Sequence, residues 1–257
     1  MKILLVLTMT ALSYGQVPTP ATSTPPQAAS GNDREISWKR LVPNLVQDQK
    51  NIWTFPARLV QGQDIVPFAA VMGSTAGLTL LDPHEAHYFR NTTKFQGFNR
   101  VFGSTPTAVG TIVAPASLYV AGLIRSDSKM QGTALLAGEA VANAEILATV
   151  MKDVDRRGRP SDLAANGNYW DSWFDNPGKT LHSNGSFPSG HSIAAFSVAT
   201  VIARRYGKTH RWVPYAAYGL AGLVGFSRLT LSAHFVSDVF MGAALGYSIG
   251  RFTVLRQ

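Results

Sequence analysis

The chain has 257 residues, a formal net charge of +8 and no cysteine, which excludes disulfides, zinc–thiolate sites and cysteine nucleophiles. Only 15% of the residues are charged and 46% are hydrophobic, which favours a heavily buried helical protein or one that lies partly in a bilayer. The basic balance suits an anionic substrate, a phosphate head group or an anionic membrane surface. We expect no nucleic-acid partner, because the basic residues are scattered and form no known nucleic-acid motif.

The N-terminal residues predict a targeting segment followed by a linker. An apolar run from Ile3 to Leu12 precedes Ser13-Tyr14-Gly15, which places small residues three positions and one position before a cut at Gln16. This pattern is typical of a secretory signal peptide over residues 1–15, with an uncleaved short anchor as the alternative. Residues 16–32 are rich in Pro, Thr and Ala and predict a disordered linker. We therefore expect a single helical domain over residues 33–257.

This domain is predicted to be an all-α bundle with about six long core helices. Asp33–Arg58 is predicted to form an amphipathic helix that lies on the domain or on a membrane surface. Apolar segments rich in Ala and Gly follow, each the length of a long helix, with small residues recurring as in closely packed helices. These segments are approximately Ile65–Leu81, Thr107–Ile124, Thr133–Met151, Ser192–Tyr206, Trp212–Phe226 and Val236–Ile249. Glu139 and Asn143 share a face of the third segment, and we expect them to hydrogen-bond between helices, with support of a functional site as the alternative.

Polar stretches separate some of these segments. Asp82–Pro106 is predicted to be a surface loop, because its His84-Glu85-Ala86-His87 lacks the four-residue histidine spacing of a zinc-protease helix. A second polar loop, from Ser161 to Ser186, either shapes the specificity of a site or folds back onto the protein. Its aromatic and histidine residues are Tyr169, Trp170, Trp173, Phe174 and His182.

The stretch Ser227–Asp238 holds charged residues in an otherwise apolar or small sequence. If the stretch is helical from about Ala233, His234 and Asp238 stand four residues apart on one face. The carboxylate can then fix the imidazole tautomer and leave the other ring nitrogen free to attack or to take a proton. Arg228 is a fixed-charge fork suited to a phosphate-like oxyanion. The alternative is a buried His–Asp pair at a helix start that performs no chemistry.

Two more clusters are candidates for an anion site. Ser189, Gly190 and His191 lie where a helix is predicted to begin, and the N–H groups of a helix start bind anions. Gly190 lets an oxyanion approach the backbone, and His191 is placed as a general acid. The alternative there is a serine N-cap with an incidental histidine. Four basic residues, Lys152, Arg156, Arg157 and Arg159, crowd the end of the third segment, where the alternative is a charged cap on a solvated loop.

Read together, the clusters form one pattern of eleven specified residues in three places. The chain reads Lys152-x6-Arg159-Pro160, then Pro188-Ser189-Gly190-His191, then Ser227-Arg228-x5-His234-x3-Asp238. This pattern resembles, without a mismatch, the three-part signature of the type 2 phosphatidic acid phosphatase (PAP2)/vanadium haloperoxidase superfamily. The resemblance covers about a third of the chain, and the first 150 residues carry no part of it.

The resemblance implies a metal-independent phosphatase that hydrolyses phosphate monoesters or lipid (di)phosphates through a phosphohistidine intermediate. It implies that His234 is the nucleophile, that Asp238 orients it, and that His191 protonates the leaving group and later activates water. The phosphoryl oxygens would be held by Lys152, Arg159, Arg228, Ser189 and the Gly190 amide. Cations and backbone donors suit the charge that a phosphoryl group in flight spreads over its oxygens. No cofactor is implied, and vanadate is expected as an inhibitor because it mimics the phosphoryl transition state.

Two other functions are compatible with the pattern. One is a vanadium-dependent haloperoxidase, with vanadate as its cofactor on His234, although the chain looks short for that group and nothing marks a halide site. The other is a catalytically inactive helical envelope protein, which is disfavoured because no signature residue is missing. The expected substrate is a phosphorylated small molecule or lipid, and an oligomer is compatible with the sequence.

The charges also predict a location in the cell envelope. If the helices span a membrane, the basic turn Arg204–Arg211 would be cytoplasmic and the three motifs would lie on the external, periplasmic face of an inner membrane. A soluble periplasmic bundle is the alternative, because six spans after a cleaved signal peptide would put the motifs in the cytoplasm.

Overall fold

A computed structural model describes residues 35–163, 168–174 and 185–255, and these residues contain helices and no strands. The α-helices are α1 (Leu41–Trp53), α2 (Phe55–Val60), α3 (Ile65–Thr79), α4 (Asp82–Arg90), α5 (Gln96–Phe102), α6 (Ser104–Ile124), α7 (Ser128–Asp155), α8 (Gly190–Tyr206), α9 (Val213–Thr230) and α10 (Val236–Ser248). Short 3-10 turns lie at Trp38–Arg40 and Tyr169–Ser172, and a π-helical turn, Ile249–Val254, continues α10. The signal peptide and linker predicted over residues 1–32, and His182, lie outside the described residues.

The predicted all-α architecture is confirmed. Each of the six apolar segments corresponds to one long helix, α3 or one of α6 to α10. Helix α8 packs against α7, α9 and α10, and so lies at the centre of the bundle. Small side chains at Ala137, Ala140 and Ala144 of α7 are fully buried in the largest core cluster, which also contains residues of α8. Helix α3 differs from the expected core helix, because most of its residues are exposed.

Close contact between α8 and α10 depends on a row of glycines. Gly242, Gly246 and Gly250 lie four residues apart along α10 and its extension. A Cβ atom at Gly242 would come within 2.7 Å of the carbonyl oxygen of Ser189, and one at Gly246 would collide with the carbonyl oxygen of Ile193. The two helices can approach this closely only because no side chain stands between them.

The long helices alternate in direction, so that the three motifs meet at one end of the bundle. Helices α7 and α9 end there, and α6, α8 and α10 begin there, as the hydrogen bond from the Ser189 N–H to the Asp238 carbonyl (3.1 Å) shows. The basic stretch Arg204–Arg211 begins in the last turn of the 17-residue α8. It therefore lies about 25 Å from the motifs, at a rise of about 1.5 Å per residue.

The surface loop predicted over Asp82–Pro106 is wrong, because most of this stretch forms α4, α5 and the start of α6. Pro83 lies in the first turn of α4, where backbone N–H groups make no hydrogen bonds within the helix, so a proline is tolerated. Acidic residues in this turn interact favourably with the helix dipole. Asp82 and Ala86 are buried on one side of α4. The stretch looked like a loop because its inward side is partly polar.

The single amphipathic helix predicted over Asp33–Arg58 is also wrong in detail. The helix breaks at Thr54 into α1 and α2, and Pro56 lies in the first turn of α2. The inward side of α1 is polar: Asp48 accepts a hydrogen bond from Asn143 (2.9 Å), and Asn44 donates to Glu139 (3.0 Å). The expected interhelical role of Glu139 and Asn143 is thereby confirmed. The outward side of α1 exposes apolar side chains, among them Val42 and Val46.

Two stretches of the described chain are long and apolar enough to cross a membrane. They are Gln96–Ile124, with a mean hydropathy of 1.7, and Ser128–Asp155, with 1.4. The first is only 17% buried over its most apolar part and the second 56%, so α6 lies at the periphery and α7 in the interior. Helices α3 and α4 meet at a bend of 53° and form a third candidate if they count as one span.

The glycine row predicts a stability effect. We expect Gly246→Ala to lower the free energy of unfolding by about 1–3 kcal/mol, because its methyl group would force α10 away from α8. Gly219→Ala on α9 is the matched control, since a Cβ there meets nothing within 4 Å, and alanine favours a helix over glycine by up to about 1 kcal/mol. Equal thermal unfolding midpoints for the two variants would contradict this packing.

Candidate active site

His234 lies in the turn between α9 and α10, and not on the helix that was expected from about Ala233. The N–H groups of Ala233 and His234 both donate to the carbonyl of Arg228, which closes the end of α9. Helix α10 begins at Val236, after the extended N-cap residue Phe235. The Asp238 carboxylate accepts the Phe235 N–H (2.8 Å) in the manner of a capping residue, and this contact fixes the helix start.

The His234 imidazole is buried and has a defined tautomer. Its Nδ1 lies 2.6 Å from the carbonyl oxygen of Ser186, which can only accept a hydrogen bond, so Nδ1 carries the proton. The nearest Asp238 carboxylate oxygen is 3.6 Å from Nδ1, beyond hydrogen-bond distance. Burial lowers the pKa of His234 to about 4 against the opposing effect of Asp238. The ring is therefore neutral at pH 7, with the Nε2 lone pair unprotonated.

Asp238 is a fully buried carboxylate with donors on both oxygens. Arg157 donates to Oδ1 (2.6 Å), while the Ser186 hydroxyl and the Phe235 N–H donate to Oδ2. Burial raises the pKa of Asp238, but Arg157 and the hydrogen bonds bring it below its ordinary value. Ser186 thus links the two groups, with its carbonyl on His234 and its hydroxyl on Asp238.

The segment from Gly185 to Gly190 is buried throughout and brings the second motif to the first. The Ser186 N–H donates to the Arg157 carbonyl (2.7 Å), and a Cβ at Gly185 would lie 3.0 Å from the Lys152 carbonyl oxygen. The Ser189 hydroxyl accepts the Ser192 hydroxyl (2.9 Å) and N–H (3.4 Å) as the N-cap of α8. The N-cap interpretation of Ser189 is therefore confirmed, although its hydroxyl proton is not used by these two bonds.

His191 and Arg228 meet at the start of α6. His191 Nε2 lies 3.2 Å from the Ser104 carbonyl oxygen, and Arg228 donates to the Ser104 hydroxyl (3.1 Å) and the Phe102 carbonyl (2.7 Å). Burial, and then the charge of Arg228, lower the pKa of His191 to about 4. No sequence pattern indicates that Phe102 and Ser104 hold these two residues.

The signature cations converge on the imidazoles. The charges of Lys152 and Arg159 both lower the pKa of His234, and the charge of Arg159 adds to the effect of burial in lowering that of Arg228. The start of α8 lies close to Lys152, since a Cβ atom at Gly190 would be 3.7 Å from the Lys152 Nζ. Each residue of the three-part signature therefore lies at the same end of the bundle.

Sequence reasoning missed the residues that support this cluster. The alternative of a charged cap on a solvated loop does not hold for Arg157, which is 1% exposed and joins Asp238 to Asp82. Asp82 and Glu85 were assigned to a surface loop, yet both contact the start of α10, Glu85 through the Val236 N–H (2.9 Å). The position of Arg157 inside the Lys152-x6-Arg159 motif was the one available signal. Of the loop aromatics, Tyr169 is buried against Phe235, while Trp170 and Phe174 are exposed.

The geometry predicts the protonation state of His234. We expect ¹⁵N NMR of the imidazole to show a neutral ring with Nδ1 protonated at every pH from 6 to 8, because its pKa is lowered to about 4 and the Ser186 carbonyl requires a donor. His234→Asn identifies the resonance. An Nε2-protonated ring, or a titration near the ordinary histidine pKa, would contradict the arrangement.

Residues 133–257 match the family model of the PAP2 superfamily. A lipid A 1-phosphatase from Porphyromonas gingivalis (strain ATCC 33277) is 42% identical over 65 residues, which is 25% of this chain and 15% of that protein. Phosphatidylglycerophosphatase B from Bacillus subtilis (strain 168) is 45% identical over 71 residues, which is 25% of this chain and 35% of that protein. The similarity thus spans only a minor part of either relative.

Among solved structures, the chain is similar to a transmembrane PAP2 type phosphatidylglycerolphosphate phosphatase from Bacillus subtilis. The TM-score is 0.42 at 22% sequence identity, and the alignment covers 82% of this chain and 94% of that one.

Proposed function

Because residues 133–257 match the family model of the PAP2 superfamily, we propose that the protein is a phosphoric ester hydrolase that acts on a lipid phosphate. The observation that carries the proposal is the convergence of His234, His191 and three cations at one end of the bundle. The names of the two relatives, a lipid A phosphatase and a phosphatidylglycerophosphatase, support a lipid substrate.

The proposed reaction has two steps. The Nε2 lone pair of His234 attacks phosphorus, the bond from phosphorus to the ester oxygen breaks, and His191 gives its proton to the leaving oxygen. His191 then takes a proton from water, which attacks the phosphohistidine and releases inorganic phosphate. His234 returns to its neutral state, held through Nδ1 by the Ser186 carbonyl.

Charge stabilisation comes from the residues around the transferred group. Lys152, Arg159 and Arg228 are assigned to the equatorial oxygens of the phosphoryl group, with the N–H of Gly190 at the start of α8. Arg228 is held rigidly, since its guanidinium also donates to Ser227, Ser104 and Phe102. A fixed cation of this kind costs no reorganisation when negative charge develops in the transition state.

We assign the protein to a membrane, with the site at one surface. The two candidate spans and the exposed apolar face of α6 support this assignment. Arg204, Arg205 and Arg211 lie at the opposite end of the bundle, and basic residues favour the cytoplasmic side. The site would then face outward, toward the periplasm. Recovery of the active protein in the soluble periplasmic fraction would contradict the membrane assignment.

A substrate panel tests the function directly. The full chain, purified in detergent, should release inorganic phosphate from phosphatidate, a phosphatidylglycerophosphate, lipid A or an isoprenoid diphosphate faster than from p-nitrophenyl phosphate. Vanadate should compete with substrate, and EDTA should leave the rate unchanged. Bromination that depends on peroxide and added vanadate would favour a haloperoxidase instead, and no turnover of any phosphate ester would overturn the proposal.

His234→Ala should reduce turnover by at least about 10³-fold, because the proposed covalent intermediate forms on the His234 imidazole. The variant should keep its helix content and its thermal unfolding midpoint within a few degrees. Trapping ³²P-labelled protein from wild type, with acid-labile and base-stable label, checks the intermediate. Wild-type turnover in His234→Ala would overturn the assignment of the nucleophile.

The pH dependence tests His191 as the acid. Because the pKa of His191 in the free enzyme is lowered to about 4, its protonated fraction falls about tenfold for each pH unit above that value. We therefore expect kcat/KM to rise as the pH is lowered from 8 toward 5. His191→Asn should remove this slope, apart from the part that substrate ionisation imposes on both enzymes. An identical slope in the two enzymes would contradict the role.

A further inference from the structure

The protein encloses the Arg157 guanidinium along its edge and on both faces. Its Nε donates to the Ser172 hydroxyl (3.2 Å), one terminal nitrogen donates to Ser237 (2.8 Å) and Asp238 (2.6 Å), and the other donates to Asp82 (2.7 Å). Its two faces are covered by the rings of Trp173 and Phe235, with centroids at 4.2 Å and 4.0 Å. Four of its five N–H donors are thus taken by the protein.

The carboxylate on the far side of Arg157 comes from α4, outside the residues that match the family model. Asp82 is 2% exposed and accepts from Arg157 and from the Ser237 hydroxyl through Oδ2. Its Oδ1 accepts the Ser237 N–H (3.1 Å) in the first turn of α10. Asp82, Arg157 and Asp238 therefore form a buried chain of alternating charge that ends beside His234.

We propose, on the basis of the phosphatase function above, that Arg157 and Asp82 are positioning residues that hold the Asp238 carboxylate and the His234 turn in their reactive geometry. Arg157 holds Oδ1 of Asp238, which leaves Oδ2 to accept from Ser186 and Phe235. Ser186 in turn presents its carbonyl to His234 Nδ1. The orientation of the His234 imidazole thus depends on the Arg157 guanidinium, which does not contact the substrate in the proposed reaction.

The negative charge of Asp82 offsets the positive charge of Arg157 and so weakens its electrostatic effect on His234. When Nε2 of His234 bonds to phosphorus, the imidazole becomes cationic, and the Asp238 carboxylate stabilises it. An uncompensated Arg157 cation beyond Asp238 would oppose this charge. With Asp82 bound to Arg157 the chain carries one net negative charge, so the site favours the phosphohistidine.

Variants at both positions separate positioning from substrate binding. Arg157→Met should lower kcat on the order of 10²-fold, the cost of a small misplacement of reacting groups, with KM within about twofold of wild type. Arg157→Lys keeps the charge but not the fork, and should recover part of the loss. Asp82→Asn keeps an oxygen for the Ser237 N–H and removes the charge, and should lower kcat about tenfold.

Arg156→Gln is the matched control, because Arg156 is the adjacent arginine, is exposed, and its Nε donates to the Asp153 carbonyl (3.2 Å), away from Asp238. It should keep wild-type kcat and KM. The double variant Asp82→Asn/Arg157→Met should be little slower than Arg157→Met alone, because Asp82 acts through Arg157.

The acid limb of kcat/KM gives a second measurement, since loss of Arg157 should move protonation of Asp238 to higher pH. The charged groups that face Asp238 in wild type are Arg157, His234, Lys152, Asp155 and Glu85, and those that face His234 are Asp238, Lys152, Arg159 and His191. Only Arg157 changes in the variant, so an unmoved acid limb would contradict the proposal.

Two further measurements, phosphate binding and the ¹⁵N spectrum of His234, do not depend on catalytic activity. Inorganic phosphate should bind Arg157→Lys and wild type with the same Kd, and a weakening of more than about tenfold would make Arg157 a substrate-binding residue and overturn the proposal. The ¹⁵N spectrum of His234 should show an Nε2-protonated population in Arg157→Met that wild type lacks, and an unchanged spectrum would overturn it. A wild type that hydrolyses no phosphate ester would refute the function alone and leave these two measurements readable. If Arg157→Met does not fold, Arg157→Lys and Asp82→Asn carry both measurements.

Discussion

The buried carboxylate of Asp238 joins the separate parts of the site. It accepts from Arg157 after α7, from Ser186 before α8 and from the backbone at the start of α10, and its own carbonyl accepts the Ser189 N–H. A fully buried charge is costly unless it is paired and hydrogen-bonded, so each donor must be in place when the chain folds. The same pairing that stabilises the carboxylate therefore assembles the three motifs.

The scaffold around this charge relies on small residues. Buried alanines on α7 and the glycine row of α10 allow both helices to approach α8 closely, and α8 carries Ser189, Gly190 and His191 at its start. Helices packed this tightly have little freedom to slide, because any added volume meets backbone atoms. The precision of the site is thus a property of the helix contacts below it as well as of its own hydrogen bonds.

Much of the fold could be predicted from the sequence, because long apolar segments with recurring small residues have few other solutions. The signature residues could be assigned as a group because their spacing is specific. The predictions that were wrong concern polar residues and local helix boundaries. Asp82 and Asp48 are buried and Glu85 is half-buried. Their partners Arg157, Asn143 and Val236 lie 75 or more residues away, and hydrophobic periodicity does not indicate such pairs. His234 lies outside helix α10 because the Asp238 carboxylate accepts the N–H of Phe235 and so makes Phe235 the N-cap. The spacing of the residues does not decide between this helix start and one at Ala233.

Helix α1 hydrogen-bonds to α7 through polar side chains and exposes the apolar side chains of Val42 and Val46. In a bilayer this arrangement fixes α1 to α7, because its amide and carboxylate groups find no water to replace Glu139 and Asn143. When lipid is removed, water can compete for the hydrogen bonds of these groups, and the apolar side chains of Val42 and Val46 are no longer covered by lipid. We therefore expect extraction into detergent to weaken the α1–α7 contact.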